Sequence, residues 1–416
     1  MKRLIGGSVM ARRRFGWFAA ITSASLIAGL LTTFANPGTA SAAACLPDTK
    51  LLNKTPVSSF NLPQGAHVRI WDTGVLARWQ DDVRIAVVTI PRGSLTPTIA
   101  TSPTLSRATP TSAMVRSDPS SVVAINADHF NPAVGGIPNV AQISKGKINK
   151  LSAASGNDPW QFGMAVYSDT KSIINATARL AGSVSSSSGA VSLTAVNWQT
   201  LKPAGITVYT SAWGTYPHPT GLRTIVVSAG VVVAVKAGKA ATVRPKANEQ
   251  WLTASPGTSA AKYLSGLRLG QLVSVTYRLA GSHVGDPYPH QPIGTPTGFV
   301  GVGGFILRAG VNRASCDARS ESRRPRSAIA WTRSGDLLVV SVSDPHDRGT
   351  RSGGATVHQW ANILAKLGAV DGVNLDGGTS TTLWVRRSIG GALIRLDQAT
   401  SSSERPVVNA FSFRAA

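Results

Sequence analysis

Short runs rich in valine and isoleucine recur along this chain, and they constrain its fold more than any other feature. Most residues of these runs favour strands, where β-branched side chains pack well on a pleated surface. The runs lie at residues 68–70, 83–89, 122–125, 206–210, 225–235, 272–279 and 337–343. Within the fifth run, Ser228-Ala229-Gly230 separates two valine stretches and predicts a hairpin turn. The serine-rich run 183–189 predicts a loop.

One helix is predicted between residues 356 and 368. Thr356 and Gln359 have the spacing of a capping box, in which each side chain satisfies a backbone group of the other. Apolar residues follow at helical spacing, at positions 357, 360, 364 and 367. Gly368 stands where a left-handed residue ends a helix. Few helices among many strands indicate an α+β fold that is predominantly β.

The run from Val373 to Leu383 contains Asp376, the pair Gly377-Gly378 and four hydroxyl residues between apolar flanks. A strand entering at Val373 would place Asp376 at its tip. The glycines would let the backbone approach a ligand that a Cβ atom would block. An ordinary Asp-Gly hairpin turn is the alternative interpretation of the same residues.

This run resembles the signature of the phosphodiester glycosidase family, which usually reads NLDGGGSTT. Three other segments resemble family motifs in the same order along the chain. Residues 124–130 resemble the N-G-D-F-F segment, residues 324–329 resemble R-x-P-R-T-A, and residues 403–408 resemble the closing E/R-P-V segment. The resemblance covers roughly residues 120 to 413, and four ordered motifs are more specific than one.

The resemblance implies a phosphodiester-glycosidase-like domain over residues 111–416, after a leader with the first strands at 45–110. The implied activity is hydrolysis of the glycosidic bond of a sugar-1-phosphodiester, similar to a GlcNAc-1-phosphodiester. The leaving phosphate monoester has a second pKa of about 6, so it departs without strong acid assistance. The site must then neutralise phosphate charge, stabilise an oxocarbenium-like carbon and activate a water.

Two carboxylates and a set of polar residues are the candidate site residues. Asp376 is the first candidate for a catalytic carboxylate, and Asp128 is the second. The candidate substrate-binding residues are Asn126, His129, Arg326, Arg405, Asn374, Gly377, Gly378, Thr379, Ser380 and Thr381. Arg326 and Arg405 are the candidate phosphate ligands, because a planar guanidinium meets a phosphate bidentately. In so basic a chain, either arginine could instead be a solvated surface charge.

The segment from Asn126 to Asn131 departs from the family pattern at two positions. His129 replaces an aromatic residue and Ala127 replaces a glycine. Burying polar residues directly after an apolar strand costs free energy unless a ligand or a metal binds them. A polar loop with local side-chain caps is the alternative.

Asp344 follows the apolar run 337–343 and is the candidate metal ligand. The family usually has V-D-G-R here, whereas Pro345-His346 replaces the last two residues in this chain. Asp344 could bind a divalent cation such as Ca²⁺ together with other carboxylates, or it could cap the following loop. The sequence requires no other cofactor.

Residues 1–44 have the features of a secretory signal peptide. Five basic residues precede an apolar stretch at 15–34, and small residues follow to Ala44. Residues 1–44 contain no acidic residue. A retained membrane anchor is the alternative, because the stretch is about long enough to span a bilayer. Arg12-Arg13-Arg14 also permits twin-arginine export. The small residues favour cleavage, hence a secreted or wall-associated protein without stable membrane insertion.

The chain is strongly basic. It has 42 lysines and arginines against 19 acidic residues, a net charge of +23, and removal of the five basic residues of the leader gives +18. A charge of this size points to an anionic partner. The sequence has no zinc-finger spacing, helix-turn-helix pattern or RNP-like aromatic run, so nucleic acid is not expected. Phosphorylated wall or exopolysaccharide glycans fit a secreted protein better.

Cys45 and Cys316 are the two cysteines of the chain. In a secreted protein they predict one disulfide. Lipidation of Cys45 is the alternative, for which Ala42 is a poor fit. Two further functions stay open: a non-catalytic basic module that binds anionic wall polymers, and a phosphodiesterase that cuts P–O. The sequence leaves the oligomeric state open.

Overall fold

The computed structural model describes residues 45, 50–73, 83–153, 162–238, 244–283, 295–316, 322–344, 353–398 and 403–416. The predicted signal peptide and Pro345-His346 lie outside the described residues. Strands dominate the described chain, which confirms the predicted predominantly β fold class.

The strands are β1 Ser58–Asn61, β2 His67–Asp72, β3 Arg84–Ile90, β4 Thr96–Thr101, β5 Ser121–Asn126, β6 Phe130–Asn131, β7 Ile137–Pro138, β8 Gln142–Ser144, β9 Lys147–Ser152, β10 Phe162–Tyr167, β11 Ser172–Ser186, β12 Gly189–Val196 and β13 Ile206–Tyr209. They continue with β14 Arg223–Ser228, β15 Val231–Ala237, β16 Glu249–Ala254, β17 Ser274–His283, β18 Gly298–Gly301, β19 Phe305–Arg308, β20 Val311–Asn312, β21 Arg326–Thr332, β22 Leu337–Ser343, β23 Ala369–Asn374, β24 Leu383–Val385, β25 Ile394–Arg395 and β26 Asn409–Arg414. The helices are α1 Thr111–Arg116, α2 Ser259–Gly266 and α3 Val357–Lys366. Within the described ranges, no helix has the length and apolar character needed to cross a membrane.

An eight-stranded sheet has the order β1-β2-β3-β22-β21-β23-β19-β20. All seven residues of β22 are buried, because both faces of the sheet are covered. Val339 belongs to the core on one face, whereas Val340 and Val342 belong to the core on the other. Helix α3 covers this second face with Trp360 and packs beside β19 and β23. The alternation follows from the two-residue period of a strand.

A five-stranded sheet, β25-β24-β5-β26-β4, covers the first face of the eight-stranded sheet. Apolar side chains at alternate positions of its strands, such as Phe411 and Phe413 of β26, join Val339 in one core. The ends of β5 and β23 therefore come from two sheets that share a core. This arrangement positions the segments that follow the two strands.

The third large sheet has eleven strands, in the order β15-β14-β16-β13-β12-β9-β8-β18-β10-β11-β17, and β6 and β7 form a separate pair. The prediction of a loop at residues 183–189 is wrong. Strands β11 and β12 form a long hairpin through this run, with Ser183 opposite Ser192 and Ser186 opposite Gly189. Hydroxyl side chains are compatible with a strand when its partner supplies the ladder hydrogen bonds, which the composition of one segment does not reveal.

The predicted helix and hairpin are confirmed. Both hydrogen bonds of the capping box link Thr356 and Gln359, and Gly368 has a φ of +93° after the helix. Ala229 and Gly230 both have positive φ in the turn between β14 and β15. These features depend on neighbouring residues alone.

The segment 45–110 pairs with the rest of the chain. Strand β3 lies beside β22, and β4 lies beside β26. Residues 43–416 form one compact unit, with no separate packing of the first strands. The predicted disulfide between Cys45 and Cys316 is confirmed, with the two Cα atoms 5.4 Å apart. It ties the beginning of this unit to the segment after β20.

Candidate active site

The backbone of Asp376 is held by the segment that follows β5. The Asp376 N–H donates to the Ala127 carbonyl at 2.9 Å, and the Asp376 carbonyl accepts from Asn126 Nδ2 at 2.6 Å. The two motifs therefore meet, although they are 250 residues apart in sequence. Their contact places Asp376, Asp128 and His129 in one region of the molecule.

Asn126 is fully buried, and both heteroatoms of its side chain bind protein groups. Its Oδ1 accepts from Ser327 Oγ at 2.7 Å and from the Thr382 N–H at 3.1 Å. A buried amide that is satisfied in this way fixes the backbone around it. Asn126 therefore positions Asp376, which differs from the predicted role in substrate binding.

The two glycines after Asp376 have separate structural causes. A Cβ atom on Gly377 would lie 2.8 Å from the Pro325 carbonyl oxygen, so this glycine allows a close approach of two backbones. Gly378 has a φ of +62°, and its N–H donates to the same carbonyl at 2.8 Å. The close approach at Gly377 is thus to residue 325, whereas the sequence predicted an approach to a ligand.

The Asp376 carboxylate faces several polar groups. Its Oδ1 accepts from the Gly377 N–H at 3.0 Å and lies 3.7 Å from His129 Nε2, while the Ser380 hydroxyl also binds the carboxylate. Burial raises the pKa of Asp376, and His129, Ser380, Arg405 and the Gly377 N–H oppose this shift. The turn thus holds a carboxylate whose charged form depends on its neighbours.

Asp128 is almost completely buried, with 1% of its surface exposed. Its N–H donates to Asn409 Oδ1 at 2.9 Å, and its Oδ2 accepts from the Val140 N–H at 3.2 Å. Burial raises the pKa of Asp128 to about 7, against the lowering effects of Lys150 and of backbone N–H groups, and the charge of Asp376 raises it further. Two carboxylates with raised pKa values that interact with each other are a feature of functional sites.

Three buried oxygens of the candidate residues make no hydrogen bond of good geometry. They are Asp128 Oδ1, which lies against Gly301, Asn374 Oδ1 and Thr381 Oγ1. Buried polar atoms usually have a partner, so each such atom calls for a water or a ligand. Thr379 and Ser380 hydroxyls, in contrast, already bind Arg405.

Arg405 lies beside the turn that carries Asp376. Its Nη1 donates to Thr379 Oγ1 and Ser380 Oγ, both at 3.0 Å, and its guanidinium carbon lies 5.0 Å from the centre of the Phe130 ring. The neighbouring Glu404 accepts from the Ser112 N–H at 3.1 Å and from its hydroxyl at 2.5 Å. Glu404 therefore fixes the segment that carries Arg405, a role that sequence analysis missed.

Arg326 lies behind the same turn and has a different environment. Its Nε donates to the Ala355 carbonyl and its Nη2 to the Ser322 carbonyl, both at 3.1 Å. Burial, together with the neighbouring charge of Arg324, lowers the pKa of Arg326 to about 10. No carboxylate in the described ranges forms an ion pair with this guanidinium, so it is a half-buried positive charge with two carbonyl partners.

Asp344 is buried and lies beside Gly353, away from any cluster of metal ligands. In the part of the chain that the structure describes, three potential ligand residues come together once, at Cys45, Cys316 and His358. Those cysteines are bonded to each other, and the group contains none of the carboxylates. Asp344 is not a member of this group, and its role as a metal ligand stays a prediction.

Residues 223–414 match the sequence model of the phosphodiester glycosidase family. The match contains Arg326, Asp376 and Arg405, and it confirms the resemblance for this part of the chain. Asn126, Asp128 and His129 precede the matched residues. No curated protein matches the chain.

Solved structures show the same fold. A hypothetical protein from Synechocystis is 24% identical with a TM-score of 0.63, over 88% of this chain and 64% of that protein. The chain thus spans less than two thirds of that protein's length. A protein from Burkholderia pseudomallei described as exported is 18% identical with a TM-score of 0.57, over 80% of this chain and 74% of the other.

A third solved structure is the catalytic domain of zebrafish N-acetylglucosamine-1-phosphodiester alpha-N-acetylglucosaminidase, auto-inhibited by its pro-peptide. It is 11% identical with a TM-score of 0.38, over 86% of this chain and 88% of that domain. A score this low adds nothing to the assignment of the site.

Proposed function

We propose that this protein hydrolyses the glycosidic bond of a sugar-1-phosphodiester. The observation that carries the proposal is the turn at residues 376–380. There the partly buried carboxylate of Asp376 lies next to His129, and the Ser380 hydroxyl joins this carboxylate to Arg405. The turn lies inside the region that matches phosphodiester glycosidases. A passive binder of anionic polymers needs the arginine but gains nothing from buried carboxylates beside it.

Arg405 is assigned to the phosphate of the substrate. One of its guanidinium nitrogens, Nη1, makes both hydrogen bonds to the turn, and the remaining N–H groups have no partner among the described residues. A guanidinium held by one corner can present its other N–H groups to two phosphate oxygens. The phosphate gains negative charge as the C–O bond breaks, so this contact strengthens in the transition state.

Asp376 is assigned to the sugar. Its carboxylate is next to the phosphate-binding side of the turn, where it can stabilise positive charge at the anomeric carbon or activate a water. Burial raises the pKa of Asp376, and this makes the carboxylate a better proton acceptor than an ordinary surface aspartate. Asp128 is the second carboxylate of the site. His129, with about 40% of its side chain exposed, is the titratable group nearest to Asp376 that solvent reaches.

The same proposal places the protein outside the cell. The leader-like residues 1–44 and the bond between Cys45 and Cys316 support export to an oxidising compartment. A mature charge of +18 supports a substrate in anionic glycans of the wall or of exopolysaccharides.

The test is hydrolysis of UDP-GlcNAc in ¹⁸O-labelled water by the purified protein, with and without a chelator. Cleavage of the C–O bond gives unlabelled UDP, which is the expected product, whereas cleavage of P–O next to the sugar gives labelled UDP. Asp376→Asn should abolish turnover. Asp169→Asn is the matched control, because Asp169 is an exposed carboxylate in the turn between β10 and β11. If simple sugar phosphodiesters are not cleaved and anionic polymers still bind, the binding module is correct.

A further inference from the structure

A lysine is completely buried beneath the candidate site. Lys150 lies on β9 with 0% of its surface exposed, and its Nζ is 3.6 Å from the centre of the Trp198 ring. The same Nζ donates to the Asn139 carbonyl at 3.1 Å and to the Val140 carbonyl at 3.0 Å. An ammonium loses much of its hydration free energy in such a place, so a buried lysine needs a structural or functional reason.

The two carbonyls bound by Lys150 belong to residues that also hold the site. The Val140 N–H donates to Asp128 Oδ2 at 3.2 Å, and the Asn139 N–H donates to the His129 carbonyl at 2.9 Å. Residues 139 and 140 thus use both N–H groups on the segment 128–129 and both carbonyls on Lys150. They connect the ammonium to the carboxylate and to the backbone of the histidine.

Lys150 also acts on Asp128 through its charge. It is the strongest of the influences that oppose the effect of burial on the Asp128 carboxyl. The other charged group that acts on Asp128 is Asp376, which in turn faces His129 and Arg405. Gly301 and Asn409, from the remaining strands around Asp128, bring no charge. Lys150 is therefore the positive charge on the buried side of this pair of carboxylates.

We propose that Lys150 is a positioning residue for the reaction, which fixes residues 139 and 140 against the site and favours the ionised form of the Asp128 carboxylate. The catalytic role of Lys150 rests on the proposed function. The effect of Lys150 on the ionisation of Asp128 does not depend on that function. Lys150 has no exposed surface for a substrate to touch, so it acts through Asp128 and His129. A lysine that served only to fill the core would leave the titration of Asp128 unchanged when replaced by an apolar residue of similar length.

The direct test measures the titration of Asp128 by ¹³C NMR of labelled aspartate carboxyls, with the Asp128 signal assigned by its loss in Asp128→Asn. Lys150→Met should raise the pKa of Asp128 by about one unit or more. Lys202→Met is the matched control, because Lys202 also lies against the Trp198 ring, at 4.7 Å from its centre. The control should leave the titration unchanged. An unchanged Asp128 titration in folded Lys150→Met would overturn the proposal.

Kinetics give a second readout when the phosphodiester is a substrate. The acid limb of kcat/KM should move to higher pH in Lys150→Met by the same amount, with kcat reduced and KM little changed. The NMR titration does not require turnover, so failure of the proposed function does not hide the result. If Lys150→Met does not fold, the same titration is measured on Lys150→Gln, because glutamine keeps a donor for one carbonyl and removes the charge. The wild-type ¹⁵Nζ shift is a further check, and a neutral Lys150 amine at pH 7 would overturn the proposal.

Discussion

His129 Nε2 lies 3.7 Å from Asp376 Oδ1, although the two residues come from different motifs and different sheets. The histidine follows β5 of the five-stranded sheet, and the aspartate follows β23 of the eight-stranded sheet. When the imidazole is protonated, its charge favours the ionised carboxylate and opposes the effect of burial on Asp376. The position at which this chain departs from the aromatic residue of the family pattern is therefore next to the main candidate for catalysis.

His129→Phe tests this relationship by restoring the aromatic residue. Without the imidazole charge the pKa of Asp376 should rise, so a smaller fraction of the carboxylate is ionised at acid pH. We expect kcat/KM to fall several-fold at pH 5.5 and much less at pH 8, because only a protonated imidazole can favour the ionised carboxylate, and protonation becomes rarer as the pH rises. The measurement is a pH–rate profile of both proteins on the same phosphodiester. A loss that is the same at every pH would mean that His129 acts by shape alone.

Asp376→Asn should leave the protein folded while it removes turnover. The carboxylate is desolvated, and the amide is isosteric and can still accept from the Gly377 N–H. Removal of a buried charge then costs little and can stabilise the fold. We expect the melting temperature to be unchanged or higher, measured by calorimetry at pH 7. A melting temperature lowered by more than about 5 °C, roughly 4 kcal/mol in a chain of this size, would make Asp376 a structural residue.

The stability of the protein should depend on pH through Asp128. Its pKa is about 7 in the folded protein and 3.8 as the reference value, so the folded state holds the proton more tightly. Between pH 4 and pH 7 the folded state binds more protons than the unfolded state, and the free energy of unfolding falls as the pH rises. Asp128→Asn should remove this fall in the free energy of unfolding, because an amide does not titrate. Between pH 4 and pH 8, the free energy of unfolding of the variant should rise by at least about 1 kcal/mol relative to that of the wild type.

Denaturant unfolding at pH 4, 6 and 8 measures this difference. Asp169→Asn, at an exposed turn, should run parallel to the wild type. Parallel curves for Asp128→Asn as well would show that Asp128 titrates as an ordinary carboxyl.

Local sequence signals predicted the elements that carry the site. The spacing of Thr356 and Gln359 predicted the start of α3, and the apolar run 337–343 predicted β22 at its observed bounds. The glycine pair predicted a special turn, and the family motif predicted that Asp128 and Asp376 share a site. Each of these depends on neighbouring residues or on the order of motifs along the chain.

The partners of the site residues could not be predicted, because they come from distant parts of the chain. Asn126 meets the Asp376 carbonyl across 250 residues, and nothing within its own segment reveals that its amide binds two backbone groups and the Ser327 hydroxyl. Lys150 shares its strand with Lys147, yet Lys147 is exposed and Lys150 is buried. Two lysines in one strand look alike until the sheet is assembled, so the sequence predicts surface charges for both.

The disulfide should stabilise the folded protein. It joins residues 271 apart, and closing a loop of this size restricts the unfolded chain by about 5.6 kcal/mol in the chain-entropy account. Double replacement of Cys45 and Cys316 by serine should lower the free energy of unfolding by about this amount. The check is denaturant unfolding of both proteins without reductant. Alkylation of two thiols in the denatured, unreduced wild type would show that the bond does not form.

The two arginines should differ when each is replaced by lysine, because the structure gives them different partners. Arg405 holds the turn by Nη1 alone, so Arg405→Lys keeps the charge but loses the forked contact with the phosphate. The phosphate becomes a dianion in the transition state, so kcat should fall more than affinity does, by about tenfold to a hundredfold, with little change in melting temperature. A neutral aryl glycoside of the same sugar should be cleaved almost as well as before. Arg326→Lys should instead lower the melting temperature, because the half-buried guanidinium of Arg326 binds the Ala355 and Ser322 carbonyls. If Arg405→Lys slows both substrates equally, or weakens binding while kcat survives, Arg405 belongs to the scaffold of the turn and the phosphate is bound elsewhere.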